Sequence, residues 1–335
     1  MDGKLQIESP NAYKRWEDTD TFCVDIVDDI MVDYVVYMTD SDAAVENEAY
    51  VYVMFVSSFF LLLVLVVYAV LPDLRNLPGK ILMAYVVSQI IAFIFFPIIT
   101  LFKDLPENTC IILSAIVYDS MLSSFCWTNV MSYDIFWTFR SYAKARVHRT
   151  GENFKFAMYC LYAWGVPLAL TAMMLMMQKA DFSDKPWVIK PLINIKGCFL
   201  MEGQQFVYFY VPLLILIICN WVFFLLTMFN IWRVSRATAV VRSPASGNAA
   251  AHRAHKLRFV LYIKLSVIMG VNWLFEVVSL FYPELKGWWV TDMYNLLVGF
   301  FIFIIFIFRR KIYRDLQAKF NSIRLSPPLV HDQQR

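Results

Sequence analysis

Several polar side chains sit in stretches that are otherwise apolar enough to cross a bilayer: Gln89, Asp119, Asn129, Asp134, Lys264, Asn272, Glu276 and Asn295. Such groups are costly in hydrocarbon and occur where they meet other protein, water or a ligand. Depth divides them. Asp134 and Lys264 are each five residues from the basic end of their stretches, which puts both ~8 Å inside that boundary at ~1.5 Å per residue. A Lys–Asp pair there would lock two helices together, and breaking it would open a cavity. The alternative is that Lys264 snorkels to the headgroups while Asp134 bonds backbone or Trp neighbours. Asp119, Asn272, Glu276 and Asn295, with Asp292 and Trp273 nearby, form an outer group without a basic partner. They are either a wet, acidic pocket for a peptide or small cation, or inter-helical hydrogen bonds with a carboxyl protonated.

Covalent catalysis and metal chemistry find no pattern. The chain has no Gly-rich phosphate loop, no Gly-x-Ser-x-Gly elbow and no His-Glu-x-x-His. His252 and His255 are three apart in a basic loop, which is short of a metal-ligand set. An enzyme, a cofactor, a metal site and a nucleic-acid partner are therefore not expected.

The elements that must position these residues are membrane helices. The 335 residues are 59% apolar and only 17% charged, against about 25% charged for an average soluble domain. Hydropathy predicts an all-α membrane protein with seven spans, at 50–71, 81–102, 110–139, 154–177, 206–229, 259–282 and 290–308. The third is the organising one. Residues 110–140 would extend roughly 45 Å as a helix, beyond the ~30 Å hydrocarbon core, and its three buried polar groups make it an interior post. Pro97, Pro167 and Pro212 fall within spans two, four and five, and the carbonyls they free must be satisfied by neighbouring helices or water. The sixth span has no proline but carries Gly270 at its middle, so any hinge there would use the glycine.

Basic residues set the expected orientation. The loops at 72–80, 140–153 and 230–258, the C-terminal tail and Lys155 hold 20 of the 30 Lys and Arg, while residues 1–49 alone hold 13 acids. Lys and Arg favour the cytoplasmic side, which predicts a multi-pass plasma-membrane protein with its N-terminus extracellular. Residues 1–49, with β-like alternation in TFCVDIV and DYVVYMT, read as an acidic tail left from an ectodomain. Residues 309–335 form a cytoplasmic tail in which Ile312, Leu316, Phe320 and Ile323 share one helical face flanked by basic residues, an amphipathic surface helix against the lipid bilayer. Cys23, Cys110 and Cys198 fall on the outer side, where disulfides persist. A bridge from Cys110, at the head of span three, to Cys198 in the long outer loop would pin that loop over the bundle mouth.

SSFCWTNVMSYDIFWTFR at 123–140, Trp164-Gly165-Val166-Pro167, Gly197-Cys198-Phe199, KLRFVLYIKLSVIMGVNWLFEVVS at 256–279 and the run from Asn295 to Phe303 resemble the Methuselah-like receptors, a branch of the secretin-like (class B) G-protein-coupled receptors. The resemblance implies a receptor that passes binding of an extracellular ligand to a heterotrimeric G protein, and it implies the Cys110–Cys198 bridge. On that expectation Asp134, Lys264 and Arg140 lie at the G-protein face, Gly270 is the hinge, and Asp119, Asn272, Glu276 and Asn295 are the pocket candidates. The family's large cysteine-rich ectodomain is absent from these residues, as is the usual span-six proline. A signalling-dead or truncated decoy, or a seven-helix ligand-gated channel or chemoreceptor, is the rival expectation.

Overall fold

A computed structural model describes residues 5–8, 16–19, 23–27, 31–35, 41–102, 105–142, 151–180, 189–191, 193, 198–200, 202–240, 278, 288–308 and 310–325. Two antiparallel hairpins come first. β1 (Leu5–Glu8) pairs with β2 (Trp16–Thr19), and β3 (Cys23–Val27) pairs with β4 (Met31–Val35), with Cys23 opposite Val35.

The other regular elements among the described residues are helices. α1 (Ser41–Val70) ends in a short 3-10 turn at Pro72–Leu74, and α2 (Leu77–Leu101) follows at once. The sequence dictates this turn. Arg75 donates through Nε to Tyr68 O at 3.3 Å and through Nη2 to Ala69 O, covering carbonyls that the end of α1 leaves without helical partners. Asn76 caps α2 by accepting from the Gly79 N–H at 3.1 Å, with Pro78 in the first turn. A Cβ on Gly79 would overlap the Leu74 carbonyl, so glycine is what lets the turn close.

α3 (Glu107–Tyr142) and α4 (Glu152–Lys179) come next. The fifth span is composite: α5 (Glu202–Gln205), one wide π turn over Phe206–Tyr210, then α6 (Val211–Val240). Among the described residues five helical stretches are long and apolar enough to cross a membrane: Ala49–Val70, Leu77–Leu101, Glu107–Thr138, Glu152–Lys179 and Phe206–Asn230. Burial is greatest in α3, with 61% of its apolar stretch buried, followed by 56% in α2 and 22% in α4 and in the fifth stretch. α3 is the post around which the others stand. Trp127, fully buried on α3, meets Trp164 of α4 edge-on at 5.1 Å and stacks on Phe156 at 6.0 Å. The sixth span, 259–282, lies outside the described residues apart from Val278.

Where one seventh span is expected at 290–308, the structure has two nine-residue helices, α7 (Trp288–Leu296) and α8 (Val298–Phe306), parted at Leu297. The Gly299 N–H donates to Ser57 Oγ of α1 at 2.9 Å, and a side chain entering the backbone ladder is a recognised cause of a helix break. α9 (Arg310–Leu325) then turns Ile312 into the core and packs Leu316 against it, leaving Tyr313 exposed.

Gly299 has no room for a side chain, since a Cβ there would lie 2.6 Å from Ser57 Oγ and 2.8 Å from Leu61 Cγ. Gly299→Leu is expected to push α1 and α8 apart at a cost of about 1–3 kcal/mol. Thermal unfolding of the detergent-solubilised chain reads this as a lowered Tm; an unchanged Tm would contradict the close packing.

Candidate functional site

A cavity of about 220 Å³ opens at the end of the bundle that carries the disulfide. Cys110 and Cys198 are bridged with their Cα atoms 5.1 Å apart, and Ser114, one turn along α3, donates to the Cys198 carbonyl. These two ties lay residue 199 against the bundle. Phe199 accordingly packs edge-on to Phe96 of α2 at 5.8 Å and to Phe209 at 6.4 Å, and all three line the cavity with Phe93, Met54, Met121 and Leu296. The polar part of the wall is small: Tyr50 of α1, Gln205 and Tyr210 of the fifth span, and Asp292 and Asn295 of α7. The Tyr50 hydroxyl donates to Asp292 Oδ2 at 3.4 Å. Asn295 Nδ2 is buried with no hydrogen-bond partner among the described residues. The chamber can thus enclose an apolar or aromatic body beside a small polar patch that includes the Asn295 amide.

Of the sequence-predicted pocket residues, Asn295 is in this wall. Asp119 is half-buried and takes a different direction, accepting from Thr171 Oγ1 of α4 at 3.4 Å. Asn272, Glu276, Gly270 and Lys264 lie outside the described residues. Tyr50, Gln205 and the phenylalanines were not foreseen, because each belongs to a different helix and only the packing makes them neighbours.

The opposite end of α3 holds Asp134. It is buried, and Tyr159 of α4 donates to its Oδ1 at 2.9 Å; the hydroxyl of Thr138 donates to its backbone carbonyl at 2.8 Å. Arg140 is exposed, with its guanidinium 6.0 Å from the Phe136 ring centre and 5.8 Å from that of Trp137. Across the α2–α4 seam, Lys80 donates to Asn153 Oδ1 at 3.1 Å and sits 5.8 Å from the Phe156 ring. Between the two ends, Asn129 donates to the Leu216 carbonyl of α6 at 3.2 Å.

Residues 37–328 match the family described as slime mold cyclic AMP receptor. Among curated proteins the chain is similar to the G-protein coupled receptor Mth2 of Drosophila yakuba, 29% identical over 283 residues, and to Mth2 of Drosophila simulans, 30% identical over 283 residues; each match covers 82% of this chain and 52% of the relative. It is also similar to the probable G-protein coupled receptor Mth-like 10 of Drosophila melanogaster, 29% identical over 293 residues, 82% of this chain and 49% of the relative. The chain spans about half the length of these relatives.

One contact between α3 and the fifth helical stretch is tied to a proline. In a regular helix the Tyr208 carbonyl would accept from residue 212, and Pro212 has no N–H. The Tyr118 hydroxyl of α3 donates to that carbonyl instead, at 2.7 Å. Tyr118→Phe is expected to destabilise the chain by about 1–3 kcal/mol, the cost of a buried acceptor without a donor. Pro212→Leu restores an N–H at that register, so the loss caused by Tyr118→Phe should shrink in the Pro212→Leu background. Equal losses in both backgrounds, measured by thermal unfolding, would refute the coupling.

Proposed function

The chain belongs to the slime mold cyclic AMP receptor family and is a homologue of the Methuselah-like receptors, and on that premise we propose that it is a seven-helix plasma-membrane receptor passing an extracellular ligand signal to a heterotrimeric G protein. The observation that carries the architecture is a register. Tyr50 bonds Asp292 and Ser57 bonds Gly299, seven residues further along both helices in the same direction. α1 and the α7–α8 pair therefore run parallel. Four membrane-length stretches intervene among the described residues, and with alternating directions a parallel partner needs one more crossing between Val240 and Trp288. That parity supports the sixth span expected at 259–282. Residues 50–308 are then the transmembrane domain, residues 1–49 an extracellular tail and residues 309–335 a cytoplasmic tail whose amphipathic helix lies at the membrane surface. The distribution of Lys and Arg supports this orientation.

The bundle works as a two-state device. Ligand in the cavity at the disulfide end acts only through its different affinity for the two states, and α3, packed on both sides, joins that end to Asp134. At the inner end Asp134 and Lys264 form the lock that holds spans three and six together. Tyr159 keeps the Asp134 carboxylate aimed, Gly270 is the hinge of span six, and Arg140 contributes to the surface met by the G protein.

In cells expressing the chain with an N-terminal tag, surface staining without permeabilisation is expected, with activation of one Gα subtype in a panel. Asp134→Asn and Lys264→Ala should each change basal nucleotide exchange by about 5-fold or more, the low end of ordinary coupling free energies. The charge swap Asp134→Lys with Lys264→Asp should bring it back toward the parent level. Tag staining confined to permeabilised cells would overturn the topology, and a swap no better than either single change would remove the lock.

A further inference from the structure

The wall of the cavity at the disulfide end is built around aromatic rings. Phe199, laid there by the Cys110–Cys198 bridge, meets Phe96 at 5.8 Å and Phe209 at 6.4 Å, with its ring plane turned 77° from each of theirs. Edge-to-face sets of this kind take in one more ring readily, because a ring edge is electropositive and a ring face electronegative. Asn295 stands in the same wall. Its Nδ2 is buried with no hydrogen-bond partner among the described residues, and a buried amide donor left unpaired is costly until an acceptor reaches it. Asp292 is already engaged by the Tyr50 hydroxyl at 3.4 Å, so the occupant need not bring a counter-charge. Size sets the limit. An apolar cavity of about 150 Å³ holds benzene, so 220 Å³ admits one ring with roughly two or three further heavy atoms.

We propose that this cavity binds a small uncharged aromatic carbonyl compound, with its ring set against Phe96 and Phe209 and its carbonyl oxygen accepting from Asn295 Nδ2. For access from the extracellular side this deepened reading of the cavity rests on the receptor reading above. A carbonyl suits the amide donor because it accepts a bond without bringing an ion to desolvate or a donor that an apolar wall would leave unpaired. Met121 on α3 lines the chamber too, so its side chain controls the space left for the ring.

The test measures direct binding to the full chain in lipid nanodiscs by equilibrium dialysis, with empty nanodiscs of the same lipid subtracted. The probe is acetophenone. Ethylbenzene replaces its carbonyl by a methylene, 1-cyclohexylethanone keeps the carbonyl without the aromatic ring, and 2-phenylethylamine carries an ammonium instead. Acetophenone should bind about three-fold or more tightly than 1-cyclohexylethanone. The ratio of acetophenone to ethylbenzene affinity should fall about three-fold or more in Asn295→Leu, a comparison in which the different hydrophobicity of the two probes cancels. Met121→Trp should fill the chamber and abolish binding of acetophenone. Asn295→Met takes the place of Asn295→Leu if the latter fails to fold, and if no variant folds the ratio of acetophenone to 1-cyclohexylethanone on the parent chain decides. No binding of acetophenone, equal binding of the two ketones, an unchanged ratio in the Asn295 variant, binding that survives Met121→Trp, or tighter binding of 2-phenylethylamine than of acetophenone would overturn the site. Because no G protein enters the measurement, a chain that binds acetophenone with these preferences yet activates no Gα subtype would sink the receptor reading and leave the site standing.

Discussion

Inside hydrocarbon a backbone carbonyl that loses its helical donor has no water to turn to, and the arrangement around α3 follows from that constraint. Pro212 withdraws the donor for Tyr208 O, and the fifth span answers with a wide turn over Phe206–Tyr210 and a hydroxyl from Tyr118. That bond fixes the height of the fifth span against α3. Asn129 to Leu216 O fixes it a second time, further along both helices. With two such ties the register of the pair is set, and Phe209 is delivered to the cavity wall as a consequence.

The disulfide plays the same role for the loop. A bridge anchored on the most buried helix turns a loop residue into a wall residue: Phe199 follows Cys198 directly, and its ring meets Phe96 and Phe209. α3 also meets α4 through polar side chains, Thr171 to Asp119 in the half nearer the disulfide and Tyr159 to Asp134 at the other end. Both carboxylates take hydroxyl donors from one neighbouring helix, which is the least costly way to keep an acid within a bundle.

Much of this was legible in the sequence, and the boundary of legibility is physical. Apolar length alone locates five of the expected spans, because a run of that length is intrinsic to the chain. The interior position of α3 follows from its Asp and Asn residues, and the alternation in TFCVDIV contains β3, whereas its partner β4, Met31–Val35, begins two residues ahead of DYVVYMT. That Pro212 would free a carbonyl is a local fact, and so it could be foreseen; that Tyr118 would take it depends on the register of two helices ninety residues apart in sequence, which no local pattern encodes. The break at Leu297 was hidden for the same reason. Residues 290–308 contain no proline, and the interruption comes from a serine on α1. Asp119 was expected to face a pocket on the strength of its depth alone, but depth does not set the angle around the helix axis, and that angle points it at Thr171.

The contacts of α1 also explain why the acidic group of the cavity sits where it does. α1 grips the α7–α8 pair at two points two turns apart, Tyr50 on Asp292 and Ser57 on Gly299. The lower grip is backbone to side chain at a glycine with no room for a Cβ, so it holds the helix axis itself close to α1. The upper grip is side chain to side chain and longer, so it steers a carboxylate without immobilising the backbone. Between them lies Leu297, and backbone bonds from the Leu297 N–H to Met293 O at 3.0 Å and from the Phe301 N–H to Leu297 O at 3.2 Å carry the helical ladder past it. Asp292 and Asn295 stand on α7, ahead of that residue. The side of the cavity that carries the charge is therefore held through α1, whereas the aromatic side is held by the disulfide and by the Tyr118 bond.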